Sequence, residues 1–396
     1  MWKDDPMKPR RILIFSLSYF PHFVGGAEIA IKETTDRIPA SDMEFVMVTL
    51  GDGSSPKEQR LGNVLVHRIF KSSDWSQKLL FPFAAYLKAK KLNKQYSFDA
   101  VWSMMASYAG FAGFLFKRAN PRVPFILSVQ EGDNFERRQG IFHIPYTWIF
   151  KSPDRIQAIS NYLAEWARDM GATCPIEVVP NAVDFKHFSK TIEPEAADSL
   201  KASLCKREGD VFLVTTSRLV AKNAVGDIID SLQYLPKNIK LLVLGAGPLE
   251  TALKQQSLKL GLNYTDEPPI TPGNRVHFLG YISHAAMPPY LAVSDIFVRP
   301  SLSEGLGISF LEAMAAGLPV IATSVGGIPD FLKEGETGLF CEAENPKSIA
   351  QKVEKYLKDA ESREYIRKKA RAMVKENYQW EKIVGDMSRI FRSVKR

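Results

Sequence analysis

Cysteine is scarce in this chain: three among 396 residues, and Cys174, Cys205 and Cys341 are scattered and stand without histidines at metal-ligand spacing. Neither a disulfide framework nor a cysteine-held zinc is expected, and a reducing compartment is the simplest reading. Long apolar runs are missing too. Nowhere do about 18 apolar residues follow one another, the nearest approach being the mixed stretch MMASYAGFAGFLF, so no membrane-spanning helix is expected. No fixed-period repeat or low-complexity tract interrupts the chain. A signal peptide is not expected either, because MWKDDPMKPRRILIFSLSYF carries acids and prolines ahead of a short apolar run and reads as a leading strand.

What remains is an ordinary globular composition, 45% hydrophobic and 24% charged, on a chain longer than one hydrophobic core usually organises. Two domains are expected. The net charge of +8 is uneven, with 25 Lys and Arg against 19 Asp and Glu in residues 1–190 and 27 against 25 in 191–396. Its densest part is WSQKLLFPFAAYLKAKKLNKQY, where Leu79, Leu80, Phe83, Leu87 and Leu92 recur at near-helical spacing and Lys88, Lys90, Lys91 and Lys94 crowd the end. Two readings stand open for it: a basic amphipathic helix that lies on an anionic membrane surface, or a surface helix whose apolar face is buried and whose lysines suit its C-terminal dipole. Nucleic acid is not an expected partner, since no nucleic-acid motif accompanies the lysines.

Short apolar or β-branched runs alternate with longer helical patterns in both halves. RILIFSLS, EFVMVTL, LVHRIF, AVWSM, PFILSV, RIQAIS and IEVVP are the strands of the first; VFLVTTS, KLLVLGAG, VHFLG, IFVRP and PVIATS are those of the second. Such alternation implies parallel sheets covered on both faces. The polar stretch between residues 184 and 210 carries no strand signal and reads as the boundary, giving two doubly wound domains that would meet across a cleft. Ligands of such sheets bind beyond the carboxyl ends of the strands, so the strand-end loops are where chemistry is expected.

Those loops hold the polar and glycine-rich motifs. After the first strand, Gly25 and Gly26 end a loop and Glu28 opens a helix, an arrangement that lets backbone N–H groups approach an anion. In SRLVAKNAVGD, Arg218 and Lys222 lie just beyond a strand, where a planar fork and a point charge four residues apart can clamp a diphosphate. VLGAGPLE brings Gly245 and Gly247 to the next strand end but lacks the third glycine of a dinucleotide fingerprint. In PSLSEGLGISFLEAMAAGLPVIAT, a glycine-broken loop runs into an Ala-rich helix. Glu304 precedes the helix N-terminus, and Glu312 lies one or two turns inside it, about 8 Å further on at about 1.5 Å per residue. One carboxylate can reach a sugar on one side of a phosphate while the other accepts hydrogen bonds on the opposite side.

The E-x7-E spacing from Glu304 to Glu312, followed by AMAAGLPVIATSVGGIPDFL and GETGLF, resembles the donor-binding signature of glycosyltransferase family 4. PHFVGGAE is similar to that family's N-terminal glycine loop, VVPNAVDFKHF to its P-N-G-V-D segment, SRLVAK to its Arg/Lys pair and NYQWEKIV to its C-terminal aromatic helix. The resemblance covers nearly the whole chain. It implies a retaining enzyme of the GT-B fold, with two Rossmann-like doubly wound domains facing across a central cleft. Residues 1–190 would bind acceptor and residues 191–375 the nucleotide sugar, while residues 376–396 would form a helix returning toward the first domain.

The resemblance also implies roles. Arg218 and Lys222 would hold the donor diphosphate and stabilise the leaving group, Glu304 would bind hydroxyls of the transferred sugar, and Glu312 would accept the ribose hydroxyls. Gly305, Leu306 and Gly307 would offer backbone N–H groups to phosphate, and Gly25 and Gly26 would let the acceptor domain approach the same diphosphate. Gly245, Tyr281 and Ile282 would complete the donor site. Positive charge and oriented N–H groups aimed at a departing phosphate do the work of a metal ion, and no D-x-D stretch occurs, so neither metal nor other cofactor is expected.

Departures from the pattern fall at three places. FILSVQEGDNF puts Gln130 and Glu131 where many family members have a sugar-contacting His, so Gln130, Glu131, Asp133 and Asn181 become the candidates for sugar or acceptor contact. Asn223 stands in place of the usual Gly after Lys222, a substitution compatible with left-handed backbone, and Ala182 stands in place of the Gly of P-N-G, a less compatible one. The expected activity is transfer of a hexose from a nucleotide-diphosphate sugar to a hydroxyl of a glycan or lipid-linked acceptor in surface polysaccharide or glycolipid synthesis. Its expected place is cytoplasmic, peripheral on the inner face of the cell membrane if the basic stretch engages lipid. A sugar-nucleotide epimerase of the same fold and a non-catalytic nucleotide-sugar-binding subunit remain open as alternatives, whereas a glycosidase would leave the phosphate-directed features unexplained.

Overall fold

The computed structural model describes residues 8–22, 25–71, 74–132, 143–266 and 273–394. The chain divides into two compact units, Met1–Ala182 with Trp380–Arg396, and Val183–Gln379. The border expected at residues 190/191 lies at 182/183, because the polar stretch after it belongs to the second unit and folds there into the helices Phe185–Phe188 and Pro194–Ser203. Asp184 caps the first through its side chain, and Pro194 opens the second at a position where its missing N–H costs nothing.

In the first unit, the run Ile12–Leu13–Ile14–Phe15 is apolar on both faces and AVWSM is buried throughout with Ser103 its one polar residue, the composition of strands covered on both sides. Eight strands form one sheet: β1 (Arg10–Phe15), β2 (Met43–Leu50), β3 (Glu58–Leu61), β4 (Val64–Ile69), β5 (Ala100–Met104), β6 (Phe125–Val129), β7 (Arg155–Ala158) and β8 (Ile176–Val178). Their order is β3-β4-β2-β1-β5-β6-β7-β8, parallel except for the β3–β4 hairpin. β3, whose EQRL sequence alternates between exposed and half-buried positions, gives no apolar run by which to be recognised. The helix Trp380–Ser393 closes this core. Trp380, Ile383, Val384, Met387, Ile390 and Phe391 fall on one helical face and are all buried, with the Phe391 ring edge-on to Trp102 at 5.0 Å. Arg10 donates to the carbonyls of Phe391 and Val394 at 2.8 and 2.7 Å, tying the last helix to the first strand.

The second unit is a seven-stranded parallel sheet of β9 (Val211–Thr216), β10 (Ile239–Leu244), β11 (Tyr264–Thr265), β12 (Val276–Phe278), β13 (Ile296–Arg299), β14 (Val320–Thr323) and β15 (Leu339–Cys341). Its order is β11-β12-β10-β9-β13-β14-β15. From β9 the chain builds outward through β10 to β11 at the edge on one side and places β12 between those two; it then returns and builds through β13, β14 and β15 on the other. The reversal leaves β9 and β13 as neighbours, and the carboxyl ends of strands at such a reversal are where open α/β sheets bind ligands.

The basic segment of the first unit forms the helix Trp75–Tyr96, and its apolar residues do not share one face. Phe81, Ala85, Ala89 and Leu92 are buried, whereas Trp75, Leu79, Leu80, Phe83 and Leu87 are exposed. Of the five residues expected to make a single buried or lipid-facing stripe, only Leu92 turns inward. Among the described residues no helix is long and apolar enough to cross a membrane.

Candidate functional site

Arg218 and Lys222 follow β9 in a loop that the backbone folds tightly. The segment Ala221–Asn223 makes one 3-10 turn, and Ala224 (φ 49°, ψ 40°) takes the left-handed conformation and starts the helix Val225–Ser231. The left-handed residue is therefore Ala224, one position after Asn223. Asn223 is buried and does something a glycine could not: its Nδ2 donates to the Arg218 carbonyl at 2.6 Å, and its Oδ1 accepts from Arg299 at 2.9 Å. The Arg218 side chain is exposed, and that of Lys222 is half-buried.

Two glycines let neighbouring loops close on this one. A Cβ on Gly245 would come within 1.9 Å of the Ser217 carbonyl oxygen, and one on Gly247 within 2.4 Å of that of Leu219. Gly245 thus serves the approach of the loop after β10 to the loop after β9. Tyr281, largely exposed, and Ile282, half-buried, follow β12 at the same end of the sheet.

Glu304 lies in the loop after β13 and Glu312 inside the helix Ile308–Ala315, whose N-cap is Gly307 at φ 95°. The two carboxylates have different surroundings. Arg299, the last residue of β13, donates through Nη2 to Glu304 Oε2 at 2.7 Å, while Glu304 Oε1 has no partner among the described residues. The Glu304 main chain is fixed as well: its carbonyl accepts from the Gly327 N–H at 3.1 Å, and a Cβ on Gly326 (φ 55°) would stand 1.8 Å from that oxygen. Glu312 is buried, and His284 Nε2 lies 2.9 Å from its Oε1. His284 is itself held between His187, stacked at 5.8 Å, and the edge of Phe188 at 4.8 Å. Gly305 and Leu306 are buried beside Glu304 in the loop that leads to the helix N-terminus.

Of the first-unit candidates, Gly25, Gln130, Glu131 and Asn181 all have partners within the chain. Gly25 caps the helix Gly26–Arg37, and its N–H donates to Glu28 Oε2 at 3.0 Å, so a carboxylate of the chain occupies the helix start where an external anion was expected. Ser18 donates to the other Glu28 oxygen at 2.6 Å. Asn181 donates to Gln130 Oε1 at 2.9 Å, both residues being buried beside a cavity of about 10 Å³, room for about one water. Glu131 is buried and accepts the N–H groups of Ala106 and Gln130 at 2.5 and 2.9 Å, which makes it a clamp between the loops after β5 and β6. Asp133 lies outside the described residues. Ala182 is buried in the core without left-handed backbone, so the missing glycine brings no strain.

Sequence reasoning missed Arg299, His284 and the bridging amide of Asn223. A cation ending an otherwise apolar strand, DIFVRPS, was the available signal for the first. Nothing in the sequence pairs His284 with Glu312.

Two family models match the chain, Glycosyltransferase Family 4 over residues 24–187 and Glycosyl transferases group 1 over residues 197–373. An uncharacterized glycosyltransferase of Methanocaldococcus jannaschii is 25% identical over 401 residues, covering 96% of this chain and 98% of its own. A GDP-mannose-dependent monoacylated alpha-(1-6)-phosphatidylinositol monomannoside mannosyltransferase of Corynebacterium glutamicum is 24% identical, covering 95% and 97%. Among solved structures, the Anabaena protein HepE in complex with UDP and glucose matches with a TM-score of 0.79 at 19% identity, covering 97% of this chain and 100% of its own. That likeness establishes the fold as GT-B.

Substituting Gly326 by Ala is expected to unfold the protein at lower urea, by more than about 2 kcal/mol, because a Cβ must displace the Glu304 carbonyl as well as bear left-handed backbone. Gly335→Ala, also left-handed but with nothing within 4 Å, is the control and should lose only about 1 kcal/mol. Equal losses in urea titrations of the two variants would mean that the approach to Glu304 is not tight.

Proposed function

The chain belongs to glycosyltransferase family 4, the group 1 glycosyl transferases, and from that premise we propose that it moves a hexose from a nucleotide-diphosphate sugar to a hydroxyl of a glycan or lipid-linked acceptor, with retention and without a metal ion. The observation that carries the reading is that Arg218, Lys222 and Glu304 lie on the loops after β9 and β13, neighbouring strands at the reversal of the sheet, and that the Leu302 N–H ties the two loops by donating to the Lys222 carbonyl at 2.7 Å. In this reading Arg218 and Lys222 clamp the diphosphate and stabilise it as it departs, assisted by N–H groups of residues 305–307 at the helix start. Preorganised positive charge costs no reorganisation as negative charge develops on the leaving phosphate. Glu304 Oε1 accepts from a hydroxyl of the transferred sugar, and Glu312 accepts the ribose hydroxyls beside Tyr281 and Ile282. Gln130 and Asn181 are assigned to sugar or acceptor contact through their paired amides.

A lipid surface is the second partner in this reading, and the exposed face of the helix Trp75–Tyr96 supports it. Leu80, Phe83 and Leu87 recur at three- and four-residue steps and run into exposed Lys90, Lys91 and Lys94. Phe83 continues edge-on to Phe111 at 5.9 Å; Phe111 stacks on Phe114 and Phe114 on the half-exposed Trp148, making one apolar surface across three helices. An apolar face ending in lysines suits anionic lipid, each cation near such a surface adding about 1 kcal/mol.

Arg218→Ala and Lys222→Ala should each lower kcat about a hundred- to a thousandfold with folding intact, the magnitude of losing one preorganised donor to a developing anion. Assays of transfer from UDP- and GDP-sugars, with and without acceptor, check this. Product formed without acceptor would point to an epimerase, and wild-type turnover in both variants would remove the clamp from the mechanism. Activity should survive EDTA; loss restored by Mg²⁺ or Mn²⁺ would contradict the leaving-group assignment. Cosedimentation with phosphatidylglycerol vesicles should exceed that with phosphatidylcholine and should fall in a Phe83→Glu/Leu87→Glu variant. Equal recovery with both lipids, or no effect of the substitutions, would remove the membrane from the account.

A further inference from the structure

Arg299 is a cation that the sheet has taken almost wholly out of water, with 9% of its surface exposed. Its guanidinium reaches three segments. Nη2 donates to Glu304 Oε2 at 2.7 Å in the loop after β13 and to Asn223 Oδ1 at 2.9 Å in the loop after β9; Nη1 donates to Ser309 Oγ at 2.5 Å in the first turn of the helix Ile308–Ala315. Its carbon lies 5.3 Å from the centroid of the Phe310 ring, so the cation is also backed by an aromatic face. The link runs further, since the Asn223 amide donates to the Arg218 carbonyl and the Leu302 N–H donates to the Lys222 carbonyl at 2.7 Å.

We infer that Arg299 is a positioning residue that sets the direction of the Glu304 carboxylate and locks it in register with the Arg218–Lys222 loop. The inference rests on the reading of Glu304 as the carboxylate beside the transferred sugar. A planar guanidinium has donors in a fixed fork, and three acceptors from separate segments leave it one orientation. Glu304 bound through Oε2 must then turn Oε1 to the remaining side. A misplacement of a sugar-facing acceptor by a fraction of an ångström lowers turnover more than it lowers donor binding, because most donor contacts are made elsewhere. A lysine can reach Glu304 but cannot serve Asn223 and Ser309 in the same geometry, so it should restore the charge without the register.

Kinetics of Arg299→Gln, Arg299→Lys, Glu304→Gln and the double variant Arg299→Gln/Glu304→Gln test this, with whichever of UDP-glucose and GDP-mannose supports transfer. Arg299→Gln should lower kcat about ten- to a hundredfold while donor KM moves less than about threefold, Arg299→Lys should recover part of the loss, and Arg299→Gln should cost less than about twofold more once Glu304 is already Gln. Independent, multiplying effects of the two substitutions on kcat, or an Arg299→Gln enzyme with wild-type kcat, would overturn the inference while leaving the proposed function standing. If Glu304→Gln transfers as well as wild type, the role of Glu304 falls and this inference with it. The same cycle read as urea midpoints needs no donor: coupled losses are expected, and additive ones would overturn the register lock even if neither nucleotide sugar is used.

Discussion

A charge withdrawn from water has to be given partners, and the cost of failing to do so is several kcal/mol. Arg299 meets most of that requirement by collecting acceptors from three segments, Asn223 from the loop after β9, Glu304 from the loop after β13 and Ser309 from the helix that follows, and leaves its Nε buried without a partner among the described residues. The arrangement constrains the second unit in both directions. The arginine is tolerable in the sheet only while Glu304 and Asn223 are in place, and those two side chains have little freedom while the arginine is there. Around this node the loops are drawn close enough that Gly245, Gly247 and Gly326 have no room for a Cβ. The glycine-rich appearance of the sequence here is a record of backbone meeting backbone.

The order of the strands decides where that node stands. A parallel sheet that builds first to one side of β9 and then to the other leaves the loops after β9 and β13 side by side at its carboxyl edge, the place where open α/β sheets bind ligands. The first unit repeats the plan with β1 and β5 as the neighbours at its reversal. There the helix start at Gly25 is already served by Glu28, and Glu131 ties two loops together by their N–H groups. Carboxylates in that unit are spent on holding loops, and the candidate polar contacts fall to the amides of Gln130 and Asn181.

Much of this was legible in the sequence because it depends on short-range pattern. Every run read as a strand is one, since apolar residues on both faces of a buried parallel strand leave a continuous signature. β3, β11 and β15 escaped because they are short edge elements, two to four residues long, that give no run long enough to be recognised. The spacing of Glu304 and Glu312 was legible, whereas their differing environments were not: His284 and Arg299 reach them through the fold from 28 and 5 residues away. The left-handed position after Lys222 is hidden for a related reason. Asn223 is a residue whose backbone tolerates that conformation, but its side chain holds the Arg218 carbonyl and Arg299, and Ala224 takes the left-handed turn. Helical spacing likewise marked the apolar residues of Trp75–Tyr96 but could not say which of them the rest of the unit would cover.

In the proposed function the two glutamates of the signature have different jobs, Glu304 at the reacting sugar and Glu312 at the ribose. Steady-state kinetics of Glu304→Gln and Glu312→Gln with a donor that supports transfer test it most directly. A carboxylate beside a sugar that gains positive character in the transition state contributes more there than in the ground state, whereas ribose contacts hold donor and transition state alike. The account predicts a large fall in kcat for Glu304→Gln with little change in donor KM, and a raised donor KM with nearly unchanged kcat for Glu312→Gln. The reverse pattern, or wild-type behaviour of both variants, would contradict it.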